Sequence, residues 1–249
     1  MEVLGIDIGG TGIKGAIVDI ETGALKTERF KYATPKGGNI DDVSAVVNTL
    51  IKDIGWKNDQ PIGFGFPSVI KNGVCHTATN ISKNWIGVDL NEAFSKSTGN
   101  DQIYCLNDAD AAGIAEVTYN PEGVADGTTI FLTIGTGIGS AVFKNGLLLT
   151  NTELGLLKYK GDLLERYASN KVRKDLNLDY PEWTLRLNEV LQHIEKVLSP
   201  ELLILGGGIS KRMHLFEAYL DTKCPIKKSK YENRAGIIGA ASAAYKAFS

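Results

Sequence analysis

No two of the three cysteines, Cys75, Cys105 and Cys224, stand in a Cys-x-x-Cys pair. Scattered thiols of this kind fit a reducing compartment better than a disulfide framework, with each cysteine read as a small buried apolar residue. The three histidines, His76, His193 and His214, also lack metal-ligand spacing. Neither sign of charge prevails: 22% of residues are charged and the formal net charge is −2. No global field therefore steers the chain towards nucleic acid or an anionic membrane, and neither is expected as a partner. No apolar run approaches the length of a membrane span, and a strand pattern starts at once without a basic leader, so the expectation is a soluble, cytoplasmic protein. No low-complexity linker divides the 249 residues, a length that suits one large or two modest domains.

Glycine is what the chain has, and it is concentrated. Ile6-Asp7-Ile8-Gly9-Gly10-Thr11-Gly12-Ile13-Lys14-Gly15 and Leu132-Thr133-Ile134-Gly135-Thr136-Gly137-Ile138-Gly139-Ser140 lie about half a chain apart. Each leaves an apolar β-rich run, breaks at glycines whose missing Cβ lets backbone N–H groups approach an anion, and resumes as a second apolar run. A strand–turn–strand unit excludes the Walker A loop, which needs Gly-Lys-Ser/Thr opening a helix, and argues against a dinucleotide fingerprint. The expected ligand is a phosphate donor.

The order of elements repeats. Residues 2–32 read as a three-stranded meander around the first loop, and 41–54 as a helix with Asp41 or Asp42 as cap and Gly55 as its end. A short strand at 61–66, a helix near 89–98 and the strand Ile103–Leu106 follow, the last ending at Asn107-Asp108 before an alanine-rich helix. A second meander over 128–150 turns at Lys144-Asn145-Gly146. Helical patterns cover about 161–175 and 181–198, then the strand 202–205 runs into Gly206-Gly207-Gly208 and an alanine-rich helix closes the chain from about Gly236. Meander, helices and further strands, occurring twice, predict a duplicated α/β unit.

Five segments resemble the ROK sugar kinases, members of the actin/hexokinase superfamily: Asp-Ile-Gly-Gly-Thr-Gly-Ile-Lys at 7–14, Leu-Asn-Asp-Ala-Asp-Ala-Ala-Gly at 106–113, Gly-Thr-Gly-Ile-Gly-Ser at 135–140, Asn-Thr-Glu-Leu-Gly at 151–155 and Leu-Gly-Gly-Gly-Ile-Ser at 205–210. Thr77-Ala78-Thr79-Asn80, Lys83-Asn84-Trp85-Ile86-Gly87, the short Lys160-Gly161-Asp162 connection and the ending Ala235–Ala241 are similar to the inorganic polyphosphate glucokinases within that family. The resemblance implies a two-lobed, ribonuclease H-like duplicated α/β fold with a central cleft. Its lobes are expected at 1–110, joined by the terminal helix 236–249, and at 111–235. It also implies phosphoryl transfer from polyphosphate, ATP or both to the 6-hydroxyl of glucose or a related hexose, with Mg²⁺ as cofactor; relatives are often homodimers.

Transfer to a sugar hydroxyl needs a base for the hydroxyl proton and a clamp for the phosphate. Asp108, between an apolar strand and a helix, is the expected base, its bland reading being a helix cap. Asn107 is expected to donate to one sugar hydroxyl and accept from another. Asp7 stands in an otherwise apolar strand, where an unpaired carboxylate is costly. The resemblance assigns it to the phosphate and to a metal-bound water, and Lys14 to the phosphate, against the plain readings of a turn carboxylate and an exposed strand lysine. Gly9, Gly10, Thr11, Gly135, Thr136 and Gly137 are expected to donate to the phosphate chain. Gly207 and Gly208 either lie near a nucleoside or only let a helix start close to the sheet. Sugar contacts are implied for Asn80, Asn107, Asp108, Glu153 and Glu165. Lys211, Arg212, Lys227, Lys228, Lys230 and Arg234 read first as solvated surface and second as a polyanion track.

Two departures matter. The family's Glu-x-Gly-His is Glu153-Leu154-Gly155-Leu156 here, so a sugar hydroxyl at that edge lacks a partner, worth about 1–3 kcal/mol. The cysteine-rich zinc motif of many ROK kinases is absent, and no zinc site is expected. An ATP-dependent hexokinase acting on mannose or an amino sugar, and a catalytically weak sugar or polyphosphate sensor, stay open as alternatives.

Overall fold

The computed structural model describes residues 1–57, 60–123 and 126–249. They form two compact units, residues 1–115 with 234–249, and residues 116–233. In the first unit, β1 (Glu2–Ile8) and β2 (Ile13–Asp19) flank the first glycine loop, and β3 (Phe30–Tyr32) completes the meander. Then come α1 (Ile40–Ile54), β4 (Ile62–Phe66), the small hairpin of β5 (Ile70–Lys71) and β6 (Val74–Cys75), α2 (Leu90–Thr98), β7 (Ile103–Asn107) and α3 (Asp108–Tyr119). The sheet runs β3-β2-β1-β4-β7, with β1, β4 and β7 parallel and the meander antiparallel.

The second unit repeats that order. β8 (Thr128–Ile134), β9 (Ile138–Lys144) and β10 (Leu147–Leu149) form its meander, with positive φ at Asn145 and Gly146 closing the β9–β10 hairpin. A hairpin of β11 (Lys158–Tyr159) and β12 (Asp162–Leu163) precedes α4 (Leu164–Ala168), α5 (Asn170–Asp175) and α6 (Tyr180–Leu198). β13 (Leu202–Gly206) and β14 (Ile226–Lys228) then complete a sheet ordered β10-β9-β8-β13-β14, again with three parallel strands. The chain returns to the first unit as α7 (Ala235–Phe248). The α/β duplication expected from the sequence is thus present strand for strand.

Each sheet buries one face under its helices. In the first unit Leu4, Ile6, Phe64 and Phe66 meet Val43, Val47 and Leu50 of α1 and Phe94 of α2, whose ring stacks on Phe64 at 4.4 Å between centroids. The opposite face is nearly bare. A Cβ on Gly5 would overlap the carbonyl of Ile237, and one on Gly63 the carbonyl of Ala240, so α7 lies directly on the backbone of β1 and β4. That closeness is what the glycine–alanine composition of these strands and this helix encodes. In the second unit Ile130, Leu132, Leu203 and Leu205 pack on Trp183, Leu187 and Leu191 of α6. Asp179 and Glu182 close a capping box at the start of α6, with Pro181 between them in the first turn.

Three local expectations are corrected. The single helix read over 161–175 is a hairpin followed by two helices, because Lys160 and Gly161 take positive φ as a turn and Ser169, in extended conformation, ends α4 and caps α5 with its hydroxyl. The third strand of the first meander is only Phe30–Tyr32, the preceding residues contributing one isolated bridge, Val18 to Leu25. Asn39, not Asp41 or Asp42, holds the N-cap of α1; the two acids sit in its first turn, facing the positive end of the helix dipole.

Candidate active site

In the first unit the C-terminal ends of β1, β4 and β7 share one edge of the sheet, the edge at which parallel α/β sheets bind ligands. Register aligns Asp7 with Gly65 and Phe66 with Asn107. Gly65 carries no side chain between them, and a Cβ there would touch the Cα of Asp108 at 3.5 Å and the Cβ of Ala111 at 3.4 Å. At ~4.8 Å per strand spacing, the backbones bearing the two aspartates lie roughly 10 Å apart across one bare strand.

Asp108 is the first residue of α3 and is half-buried. The cap of that helix is Asn107. Its Oδ1 accepts from the backbone N–H groups of Ala109 at 2.9 Å and Asp110 at 3.0 Å, while its Nδ2 donates to the carbonyl of Ser68 at 3.0 Å. The bland reading of Asp108 as the cap is therefore overturned, since the amide oxygen of Asn107 serves the helix. Asp108 Oδ1 accepts from Ala109 N–H at 2.8 Å.

Asp7 pairs with Lys14 across β1 and β2, its Oδ2 accepting from Nζ at 2.9 Å. This pairing answers the cost of a carboxylate inside an apolar strand. Gly236, in the first turn of α7, passes so close that a Cβ on it would lie 3.0 Å from the Asp7 carboxyl carbon. Asp7 thus faces the start of a helix as well as a lysine. In the glycine loop Gly9 N–H donates to Gly12 at 3.0 Å, and Thr34 Oγ1 to the Gly9 carbonyl at 2.5 Å. Gly10 and Thr11 are exposed. Asn80 abuts this loop, since a Cβ on Gly10 would lie 2.9 Å from its carbonyl oxygen.

The second unit assembles its own set around the start of β9. Gly135 N–H donates to the Gly137 carbonyl at 3.0 Å, and Lys171 N–H to the Gly135 carbonyl at 3.1 Å. Glu165, from α4, accepts from Ile138 N–H at 3.3 Å, and a Cβ on Gly137 would overlap its Oε2. Glu153 caps the short 3₁₀ turn Leu154–Leu156, and a Cβ on Gly155 would overlap the carbonyl of Ile138. Buried Ser140 fixes that segment, donating to the Thr152 carbonyl and accepting from Leu154 N–H at 2.9 Å. Leu156, where the family has histidine, is 42% exposed. Gly207 takes φ 75° against the backbone of Ile134, next to this glycine loop, and a Cβ on Gly208 would meet open space.

Ser68 and Ser140 were not singled out in the sequence. Ser140 closes a motif that was legible; Ser68 follows a proline at a strand end, and its place beneath Asn107 carries no sequence signal. Among the basic residues, Lys211 and Lys228 pair with Glu232, Lys227 with Glu122, and Arg212 donates to the Tyr180 hydroxyl at 3.3 Å, the behaviour of an ordinary charged surface.

The chain is similar to known sugar kinases. The profile of the ROK family matches residues 3–155. The polyphosphate glucokinase of Mycobacterium tuberculosis (strain ATCC 25618 / H37Rv) is 40% identical over 239 residues, 96% of this chain and 89% of that one. The crystal structure of an inorganic polyphosphate/ATP-glucomannokinase from Arthrobacter sp. strain KM superposes with a TM-score of 0.95 at 38% identity, covering 99% of each chain. A ROK family glucokinase from Streptomyces griseus, solved with glucose and AMPPNP, shares the fold at a TM-score of 0.83 and 20% identity, over 99% of this chain and 100% of that one.

Proposed function

This chain belongs to the ROK family, and from that premise we propose that it is a polyphosphate glucokinase, moving the terminal phosphoryl group of inorganic polyphosphate to the 6-hydroxyl of glucose. The observation that carries the reading is Asp108, held at a parallel strand end by its own helix cap, in a chain so similar over its whole length to a polyphosphate glucokinase. In the reaction the 6-hydroxyl oxygen forms a bond to the terminal phosphorus as the bridging P–O bond breaks. The hydroxyl proton passes to Asp108, and the polyphosphate leaves one unit shorter. Sugar contacts fall to Asn80, Glu153, Glu165 and the Nδ2 side of Asn107. The backbone N–H groups of both glycine loops and Lys14 hold the phosphates.

Mg²⁺ fits these residues in one way only. No group of three or more His, Cys, Asp or Glu that could hold a metal occurs among the described residues. A single carboxylate, Asp7, suits an ion that keeps its waters and arrives with donor phosphates, whose charge it neutralises when bound. ATP as a second donor is favoured by Gly207 and Gly208, which put an open, side-chain-free loop beside the second glycine loop. A cytoplasmic homodimer feeding sugar phosphate into glycolysis is the setting we propose.

Glucose 6-phosphate formation from purified protein, Mg²⁺ and nucleotide-free polyphosphate tests the reading, with ATP in a parallel arm. Asp108→Asn is expected to lower kcat by roughly 10²–10⁴-fold while glucose still binds. Turnover near that of the parent would remove Asp108 from the role of base.

A further inference from the structure

The Glu165 carboxylate lies on the second glycine loop. Its Oε2 accepts from Ile138 N–H at 3.3 Å and occupies the space a side chain at residue 137 would need. Gly137 does not have the positive φ that would demand glycine for conformational reasons. The space it leaves is filled by a carboxylate. Glu165 reaches this position from the first turn of α4, a five-residue helix that Ser169 terminates immediately. Lys171 N–H, in the first turn of the next helix, holds the Gly135 carbonyl at 3.1 Å. Loop and glutamate are thus built into one local assembly.

A carboxylate bonded to one N–H of a phosphate loop does two things. It takes a donor that a phosphate oxygen would use, and it sets a like charge against the incoming anion. Resting on the reading above, in which the loop receives donor phosphate and Glu165 contacts sugar, we infer that Glu165 is a sugar-released latch on the donor loop. Without sugar its carboxylate sits on Gly137 and Ile138 and weakens donor binding. A bound sugar draws the carboxylate onto its hydroxyls, frees the Ile138 N–H and removes the opposing charge. Sugar therefore raises affinity for the phosphate donor, and by linkage the donor raises affinity for sugar. One side chain couples the two substrates and disfavours donor binding, and with it hydrolysis, in the absence of acceptor.

Titration calorimetry with inorganic tripolyphosphate, with and without saturating glucose, tests this on the parent and on Glu165→Gln, which keeps the side chain's shape and an acceptor oxygen but removes the charge. For the parent, glucose is expected to tighten tripolyphosphate roughly tenfold or more, the scale of one like-charge contact at a solvent-exposed site. In Glu165→Gln the glucose-free affinity should rise towards the glucose-bound value of the parent, and the coupling should fall to about twofold or less. Equal tripolyphosphate affinity of the parent with and without glucose, or undiminished coupling in Glu165→Gln, would overturn the latch while leaving a functioning kinase. Absence of both tripolyphosphate binding and glucose 6-phosphate formation in the parent would overturn the kinase reading itself, and the latch with it.

Discussion

With one amide, Asn107 serves the fold and stands beside the proposed base. Its oxygen stops α3 from fraying at the residue that carries the proposed base, and its nitrogen ties that helix to the turn after β4 through the Ser68 carbonyl. Ser68 is itself buried, accepting from Thr77 N–H at 3.3 Å and lying 3.1 Å from the Cys75 sulfur. Replacing Asn107 by alanine removes the cap, worth about 1 kcal/mol, and leaves the Ser68 carbonyl without this donor. Serine is itself a good cap. Asn107→Ser is therefore expected to recover the cap's share of the stability lost in Asn107→Ala but not the activity, which should stay at least about tenfold down in kcat/KM because the amide N–H that ties α3 to the Ser68 turn is gone and Asp108 is less well placed. Thermal unfolding and the sugar-phosphate assay, run on both variants, separate the two roles. The Asn-Asp pair was legible in the sequence as a strand end meeting a helix start; which of the two caps the helix was not, since both residue types cap well and only backbone geometry selects between them.

Among the elements, the β11–β12 hairpin shows how a short connection is made firm. Lys160, at a positive φ, reaches Glu189 of α6 at 2.5 Å, and the hydroxyls of Tyr159 and Tyr167 each donate to the same carboxylate oxygen at 2.9 Å. Lys160 Nζ also stands 5.3 Å from the ring centres of both tyrosines. This staple joins the hairpin, α4 and α6, and so stands behind Glu165. The Lys160 ammonium, and then the tyrosine hydroxyls, hold the Glu189 carboxyl below its ordinary range, and the same contact raises the lysine. A depressed carboxyl contributes stability above its unfolded value and loses it as pH falls through the folded one. Glu189→Gln is therefore expected to melt lower than the parent at pH 7, by at most about 2–4 °C for so exposed a pair, with the difference closing below about pH 4. Melting curves across pH 3–8 check it; a constant difference would assign the effect to packing. The short connection was visible in the sequence, but the staple was not, since Glu189 is distant in sequence and reads as an ordinary charged position on an amphipathic helix.

At the scale of the whole molecule, each unit carries part of the proposed site: Asp7, Lys14, Asn80, Asn107 and Asp108 belong to the first, the second glycine loop, Glu153 and Glu165 to the second. Thiols report on both. Cys75 and Cys105 are buried in the first unit and Cys224 in the second. Burial pushes all three up, Cys224 to about 11 and Cys105 well above its ordinary value. The native protein is accordingly expected to leave a thiol-reactive disulfide reagent untouched for minutes at pH 8, and to titrate three thiols in urea, its melting temperature unchanged by reductant. A thiol reacting before unfolding would mark the unit that opens first. The sequence alone determined the duplication, the two glycine loops, the strand-end aspartates and the family, because strand periodicity, turn glycines and local motifs are properties of neighbouring residues. Only the tertiary structure decided that Asn107 caps α3, that Asp7 is answered by Lys14 and the start of α7, and that Glu165 lies on Gly137. Those pairings join groups brought together by strand register and by the close packing that glycine permits, and neither distance nor direction between such groups is written in the order of residues.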